Sequence, residues 1–280
     1  MNYIILGLII IYLCYNLKKG KENFSINNKF KIVVTFYNPG VNYLKKCLKS
    51  IENQNYKNYD VCIINDKSTK EVNELNSLCD SYQKKYNWKY HENKQNGGPY
   101  KSRMEAIEYL KPENNDIIIL VDGDDKLSNN NVLNILNNNY QDNTQVTFGN
   151  YRTVDYSGNK GERIIKCNNI NLKTMAKNNS FRDRKGYPFS HLKTFKYGIY
   201  KNINHNDNKV NGEYIRSATD AAIMYPLLEL AGENSKCIND ILYDYTYDHT
   251  ESLHNDENKQ TQQTENLNIV KSLKKYKRIN

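Results

Sequence analysis

The six cysteines, at positions 14, 47, 62, 79, 167 and 237, form no C-x-x-C pair and no Cys/His spacing that would hold a metal. That excludes a zinc module and a thioredoxin-type redox motif. No internal repeat is present, which removes solenoids and arrays. The formal charge is +9, yet the lysines are dispersed among acids and no arginine/aromatic recognition module stands out, so no nucleic-acid partner is expected. The most basic stretches, Lys18–Lys21 and Lys271–Ile279, flank the chain. With 38% hydrophobic and 25% charged residues, the 280-residue chain has the make-up of a soluble globular body. Its cysteines read as small buried hydrophobes in a reducing compartment.

One apolar run exists, from Tyr3 to Tyr15, extended by Leu17 and stopped by lysines. It is shorter than the ~20 residues of an ordinary membrane span, but tyrosines and snorkelling lysines extend such segments. No basic region precedes it and no small-x-small cleavage site follows, so an uncleaved N-terminal membrane anchor over residues 1–21 is expected rather than a signal peptide. Positive charge on its C-terminal side places the main domain in the cytoplasm. The tail from Lys271 would add attraction to anionic lipid.

Beyond a polar linker (22–29), apolar β-branched stretches alternate with segments of helical periodicity. FKIVVTF, YDVCIIND, WKYHEN and DIIILVD read as strands; VNYLKKCLKSIENQ, KSTKEVNELNSLCDSYQKKY and GGPYKSRMEAIEYL read as helices. Asn38 is placed to cap the first helix, with Pro39 in its first turn. NVLNILNNNY and TQVTFGNYRTV continue the alternation. The pattern predicts an α/β fold with a mostly parallel sheet between helices. Polar residues then collect at the carboxyl ends of the strands, where open α/β sheets bind ligands.

The densest of these clusters closes IIILVDGDDKLS, residues 117–128. Three carboxylates after a buried strand repel one another unless a positive charge joins them. A calcium loop does not fit, because Leu127 and Leu133 stand where glycine and glutamate are required. A phosphatase-type D-x-D-x-T fails at Lys126. The remaining physical account is a divalent cation held by few protein oxygens and completed by a diphosphate.

These residues carry a resemblance. VVTFYNPGVNYLKKCLKSIENQNYKNYDVCIINDKST, NGGPYKSRMEAI and ILVDGDD, in that order and spacing, resemble the nucleotide-binding half of family 2 glycosyltransferases, which have the GT-A fold. SHLKTFKYGIY and ATDAAIMYPLLELAG resemble the acceptor-side segments less tightly. Asn65 departs from the family, which often has aspartate there, and Met104 stands where asparagine often follows the arginine.

The resemblance implies a GT-A domain over 30–250, with a nucleotide-sugar half (30–151) and an acceptor half (152–250), then a polar and basic tail (251–280). It implies a nucleotide-sugar donor, UDP-linked by default, a glycan or other hydroxyl acceptor, inversion, and Mn²⁺ or Mg²⁺. Residue by residue, Thr35, Tyr37 and Asn38 would line the nucleotide pocket and Asp66 would approach the base. Gly98 and Arg103 would lie beside base or ribose, and Asp122 would meet the ribose or a metal-bound water. Asp124 would ligate the cation and His249 would reach the metal or phosphates. His191 would orient a substrate, and Asp220 would be the catalytic base. A helix N-terminal carboxylate is the structural alternative for Asp220. Two rival functions stay open at this point. A nucleotidyltransferase would carry a glycine-rich signature near the first strand, which TFYNPG lacks; a catalytically dead membrane scaffold of the same fold would need neither Asp124 nor Asp220.

Overall fold

A computed structural model of the chain describes residues 26–155, 162–167, 171–247 and 257–279. The first half alternates as its periodicity predicts: β1 (Phe30–Phe36), α1 (Val41–Glu52), β2 (Tyr59–Asn65), α2 (Val72–Tyr86), β3 (Lys89–Glu92), α3 (Pro99–Leu110) and β4 (Ile117–Asp122). These four strands are parallel, in the order β3-β2-β1-β4. Consecutive residues of β1 serve opposite faces. Ile32 and Val34 join the core under α1 and α2, while Val33 joins the core under α3. Burying each such side chain stabilises the fold by roughly 1.5–3 kcal/mol.

The second half extends the same sheet. It contains β5 (Lys126–Leu127), α4 (Val132–Asn139), β6 (Val146–Val154), β7 (Arg163–Ile165), α5 (Leu172–Asn178), β8 (Lys193–Lys196), α6 (Tyr197–Tyr200), β9 (Lys209–Val210), β10 (Glu213–Tyr214), α7 (Thr219–Ala231), β11 (Ser235–Thr246) and α8 (Glu257–Ser272). The order β4-β8-β6-β11-β5 mixes directions: β8 is antiparallel to β4 and β6, β11 parallel to β6, and β5 antiparallel to β11. The sheet thus continues through the second half as far as Thr246, and the segment beyond it contains a helix. Helix α7 is apolar on every side and buried almost throughout, as an interior helix must be.

Four expectations are corrected. Asn38 does not cap α1: the cap position is Gly40, at φ 77°, and Glu71 from the neighbouring loop accepts the Val41 N–H at 2.9 Å. The Asn38 carboxamide oxygen is used by the N–H groups of Thr69 and Lys70. The cysteines are not all thiols, because Cys167 and Cys237 form a disulfide, 70 residues apart in sequence. Their pairing needs β6 and β11 side by side, which no local spacing reveals, and it removes the ground for a reducing compartment. Third, the basic tail is engaged by the fold. Lys275 pairs with Asp183 at 2.7 Å, and the Ile279 N–H reaches the Leu230 carbonyl at 3.1 Å. Fourth, no helix among the described residues is long and apolar enough to cross a membrane. The anchor expected over 1–21 lies outside the described residues, and the membrane and cytoplasmic placement loses its support.

Candidate active site

Parallel pairing of β1 with β4 sets Thr35 beside Asp122 at the carboxyl ends of both strands. This is where the chain order turns from β1 outward to β2 on one side and to β4 on the other, the switch point at which such sheets open a crevice. A cavity of about 950 Å³ opens there. Thr35, Tyr37, Asp66, Arg103, Asp122, Asp124, His191 and Asp220 all line it, so eight of the eleven sequence-derived site residues meet in one place. Asn38 is turned away into its loop, and His249 lies outside the described residues.

Gly98 contributes through its backbone. At φ +83° it takes a conformation that suits glycine, and its N–H and that of Gly97 donate to Asp66 Oδ2 and Oδ1, at 2.8 and 2.9 Å. Asn93 adds a third donor, so Asp66 shapes the loop before α3 as well as the cavity wall. Asn65, fully buried, accepts from Ser68 and does not line the cavity, so its departure from the family pattern has a local structural use.

The centre of the site is a charge lattice. Arg103, 4% exposed on α3, donates to Asp122 Oδ1 at 2.7 Å and to Asp220 Oδ1 at 2.8 Å. Lys193, fully buried on β8, donates to Asp220 Oδ2 at 2.6 Å. Burial by itself would push the Asp220 carboxyl up, but Lys193 and Arg103 outweigh it and hold the group well below the usual carboxylate range. For Asp122 the same contest ends lower than normal, with Arg103 the chief counter-charge. Each of these carboxylates keeps 28% of its side chain open to the cavity, so both remain reachable by a ligand.

Asp125 is the opposite case. Its Oδ1 accepts the Thr246 N–H at 2.7 Å, while Oδ2 is buried without a hydrogen-bond partner. Burial, then Asp124 and Asp122, push its carboxyl well above the ordinary value. An orphaned buried carboxylate oxygen beside two more acids is the signature of a place that lacks a positive charge. Among the described residues, Asp122, Asp125 and His191 form a group whose potential ligand atoms lie within 4.8 Å of one another. The residues present thus fit a hard divalent cation, with the carboxylates of Asp122 and Asp125 as oxygen donors and Asp124 beside them on the cavity wall. Gly123 within that turn is tightly enclosed, since a Cβ there would lie 2.7 Å from Phe36 Cβ.

The far wall was missed by sequence reasoning. The Tyr243 hydroxyl accepts the Asp122 N–H at 3.0 Å, and Tyr151, Tyr245 and Tyr247 also face the site region. Arg216 closes over Gly98 and donates twice to Asn96. Helix α8 presents Gln260, Gln263, Thr264 and Leu267 to the cavity, at spacings of three and four that share one helical face. The one available signal for Lys193 was a lysine inside the apolar stretch HLKTF.

Comparison with known proteins agrees with this geometry. The sequence model described as "Glycosyl transferase family 2" matches residues 31–204. An uncharacterized glycosyltransferase of Haemophilus influenzae is 29% identical over 152 residues, covering 54% of this chain and 58% of that protein. Glycosyltransferase GlyG of Streptococcus pneumoniae is 30% identical over 129 residues, 45% of this chain and 40% of its own length. The matched region is thus less than two thirds of either relative. Among solved structures, residues 1–349 of S. aureus TarS in complex with UDP-GlcNAc align over 80% of this chain and 60% of that one, with TM-score 0.56 and 21% identity. The mannosyltransferase PcManGT from Pyrobaculum calidifontis, in complex with GDP-Man and Mn²⁺, aligns over 97% and 74%, with TM-score 0.58 and 13% identity. The fold is shared at these identities. With the family pattern matched across more than half of its length, the chain belongs to glycosyl transferase family 2.

Proposed function

We propose that this protein transfers a sugar from a nucleoside diphosphate sugar to an acceptor hydroxyl, with inversion and with a bound Mn²⁺ or Mg²⁺. The observation that carries this reading is the Arg103 bridge. One guanidinium joins Asp122, at the end of the nucleotide-side strand, to Asp220, at the start of α7, across a single cavity. The complexes of the structural neighbours with UDP-GlcNAc and with GDP-Man and Mn²⁺ support a nucleotide-sugar donor and a divalent ion.

Thr35, Tyr37 and Asp66 form the wall against which the nucleotide lies. Asp122, Asp124 and Asp125 would hold the cation, which supplies charge neutralisation at the departing diphosphate. Asp220 accepts the proton of the attacking hydroxyl. Its two cationic partners keep it ionised at any working pH and also weaken it as a base, so proton transfer belongs late, when bond formation has made the hydroxyl acidic. A single displacement with the base on the acceptor side inverts the anomeric carbon.

The deciding experiment is a panel of nucleotide sugars and nucleoside triphosphates, with and without Mn²⁺. Metal-dependent cleavage of one sugar nucleotide is expected. Turnover of a triphosphate alone would move the protein to nucleotidyl transfer, and no binding or turnover of any donor would make it a scaffold.

A further inference from the structure

Lys193 has no role in the reading above beyond keeping the Asp220 carboxyl ionised, yet its position is costly. It lies on β8 opposite Leu120 of the central β4, and its side chain is 1% exposed. A buried ammonium persists only when its hydrogens are taken up. Two partners do so: Asp220 Oδ2 at 2.6 Å and His191 Nδ1 at 3.2 Å. Lys193 does not line the cavity, whereas both of its partners do.

An ammonium has three hydrogens and no lone pair, so Nδ1 of His191 must accept. With Nδ1 accepting, that nitrogen carries no hydrogen, so the ring is the neutral form with a single N–H. That hydrogen belongs on the other nitrogen, Nε2. The ring is held flat against Tyr243, with centroids 4.5 Å apart and planes 3° from parallel, and edge-on to Tyr151. Turning it over would set a carbon against the ammonium.

We propose that Lys193 is a positioning residue that fixes His191 as the Nε2–H tautomer, so that His191 offers the cavity a hydrogen-bond donor and not a metal-ligating lone pair. The cation is then carried by the carboxylates alone, and His191 stands beside it as a donor to a phosphate oxygen of the nucleotide. Only this last consequence rests on the transferase reading; the tautomer does not.

The first test is a long-range ¹H–¹⁵N correlation spectrum of the full chain at pH 7. The chain has five histidines, and the His191 signals are identified by their loss in His191→Gln. A bare Nδ1 and a protonated Nε2 are expected in the unmodified protein, and a hydrogen on Nδ1 overturns the proposal. In Lys193→Met the pattern should shift towards Nδ1–H, and Lys193→Arg should restore it. An unchanged ring in a folded Lys193→Met protein would sink the assignment; should that variant not fold, the parent spectrum still decides. The second test uses Mn²⁺ and UDP as separate probes of His191→Leu. Mn²⁺ affinity within twofold of the parent and UDP affinity weakened about tenfold are expected. A large loss of Mn²⁺ affinity would make His191 a ligand. Failure of the parent to bind UDP, with the Nε2–H tautomer present, would count against the transferase reading alone.

Discussion

Asp220 and Asp125 are carboxylates of one cavity with opposite electrostatics, and substitution should separate them. Asp220→Asn removes the proton acceptor, so turnover should fall by about 10²–10⁴-fold while nucleotide affinity hardly changes. The same change strips the counter-charge from Arg103 and Lys193, both nearly or fully buried. Stability should fall too, by about 3 kcal/mol. Melting temperature therefore cannot distinguish a base from a helix-cap carboxylate, and turnover measured well below the transition can. Near-normal turnover would remove Asp220 from the chemistry. Asp125→Asn has the reverse effect. It relieves a buried oxygen that lacks a partner, so the metal-free protein should be as stable as the parent or more so. Mn²⁺ at a hundredfold excess over Kd should stabilise the parent by about 2.7 kcal/mol, and Asp125→Asn should lose that gain. EDTA should abolish transfer by the parent; full activity in EDTA would refute the cation site.

At the scale of elements, α8 is a wall of the site as well as the last helix described. It is held by Arg182, which is buried and paired with Glu229 of α7 through two bonds of 2.6 and 2.7 Å. The same guanidinium donates to the Val270 carbonyl of α8 at 2.7 Å, and Glu229 accepts the Tyr276 N–H at 2.9 Å. Glu229→Gln leaves a buried guanidinium uncompensated and should cost roughly 3 kcal/mol. Loosening α8 should also raise the KM for the acceptor more than that for the donor, because Gln260, Gln263 and Thr264 face the cavity while the nucleotide wall belongs to β1 and β2. Equal changes in both KM values would show that α8 serves stability alone.

For the whole molecule, the Cys167–Cys237 bridge ties the segment after β7 to β11 and closes a loop of about 70 residues. Chain-entropy arguments put its contribution at about 4 kcal/mol. Reduction, or Cys237→Ser, should lower the denaturant midpoint accordingly, and an unchanged midpoint would deny the bridge a stabilising part. Acid has its own window. Burial lowers His205 to about 4, and burial with Lys193 lowers His191 to about 3. Both rings are neutral in the fold, while the unfolded chain protonates near pH 6.5. Their contribution is complete above pH 6.5 and is lost as pH falls towards 4, by up to ~1.4 kcal/mol per unit for each ring. Asp125 acts in the opposite sense, since its raised pKa makes ionisation in the fold unfavourable. Chemical denaturation of Asp125→Asn at pH 7 and pH 5 removes that opposing contribution; its midpoint should be lower at pH 5, and a midpoint that rises would show that the histidines are not held neutral.

The local chemistry of the first half was open to reading from the chain alone. Strands β1, β2 and β4 are short apolar runs, helices α1 and α3 show helical spacing, and the glycines and acids sit at their junctions; such signals arise between residues a few positions apart. That is why Thr35, Asp66 and Asp122 stand out at strand ends and why the acids of residues 122–125 could be recognised as wanting a cation, whereas Arg103 was implied only by the resemblance to family 2 glycosyltransferases. What joined these residues to the second half was not local. Whether Arg103 meets Asp220, whether Lys193 reaches Asp220, whether Cys167 finds Cys237 and where α8 lies all depend on pairings across 27 to 117 residues that later segments create. A lysine in HLKTF and a polar C-terminal helix carry no distinguishing pattern of their own. Their roles follow from burial and from the charges that face them, which exist only once the sheet has brought β4, β6, β8 and β11 side by side.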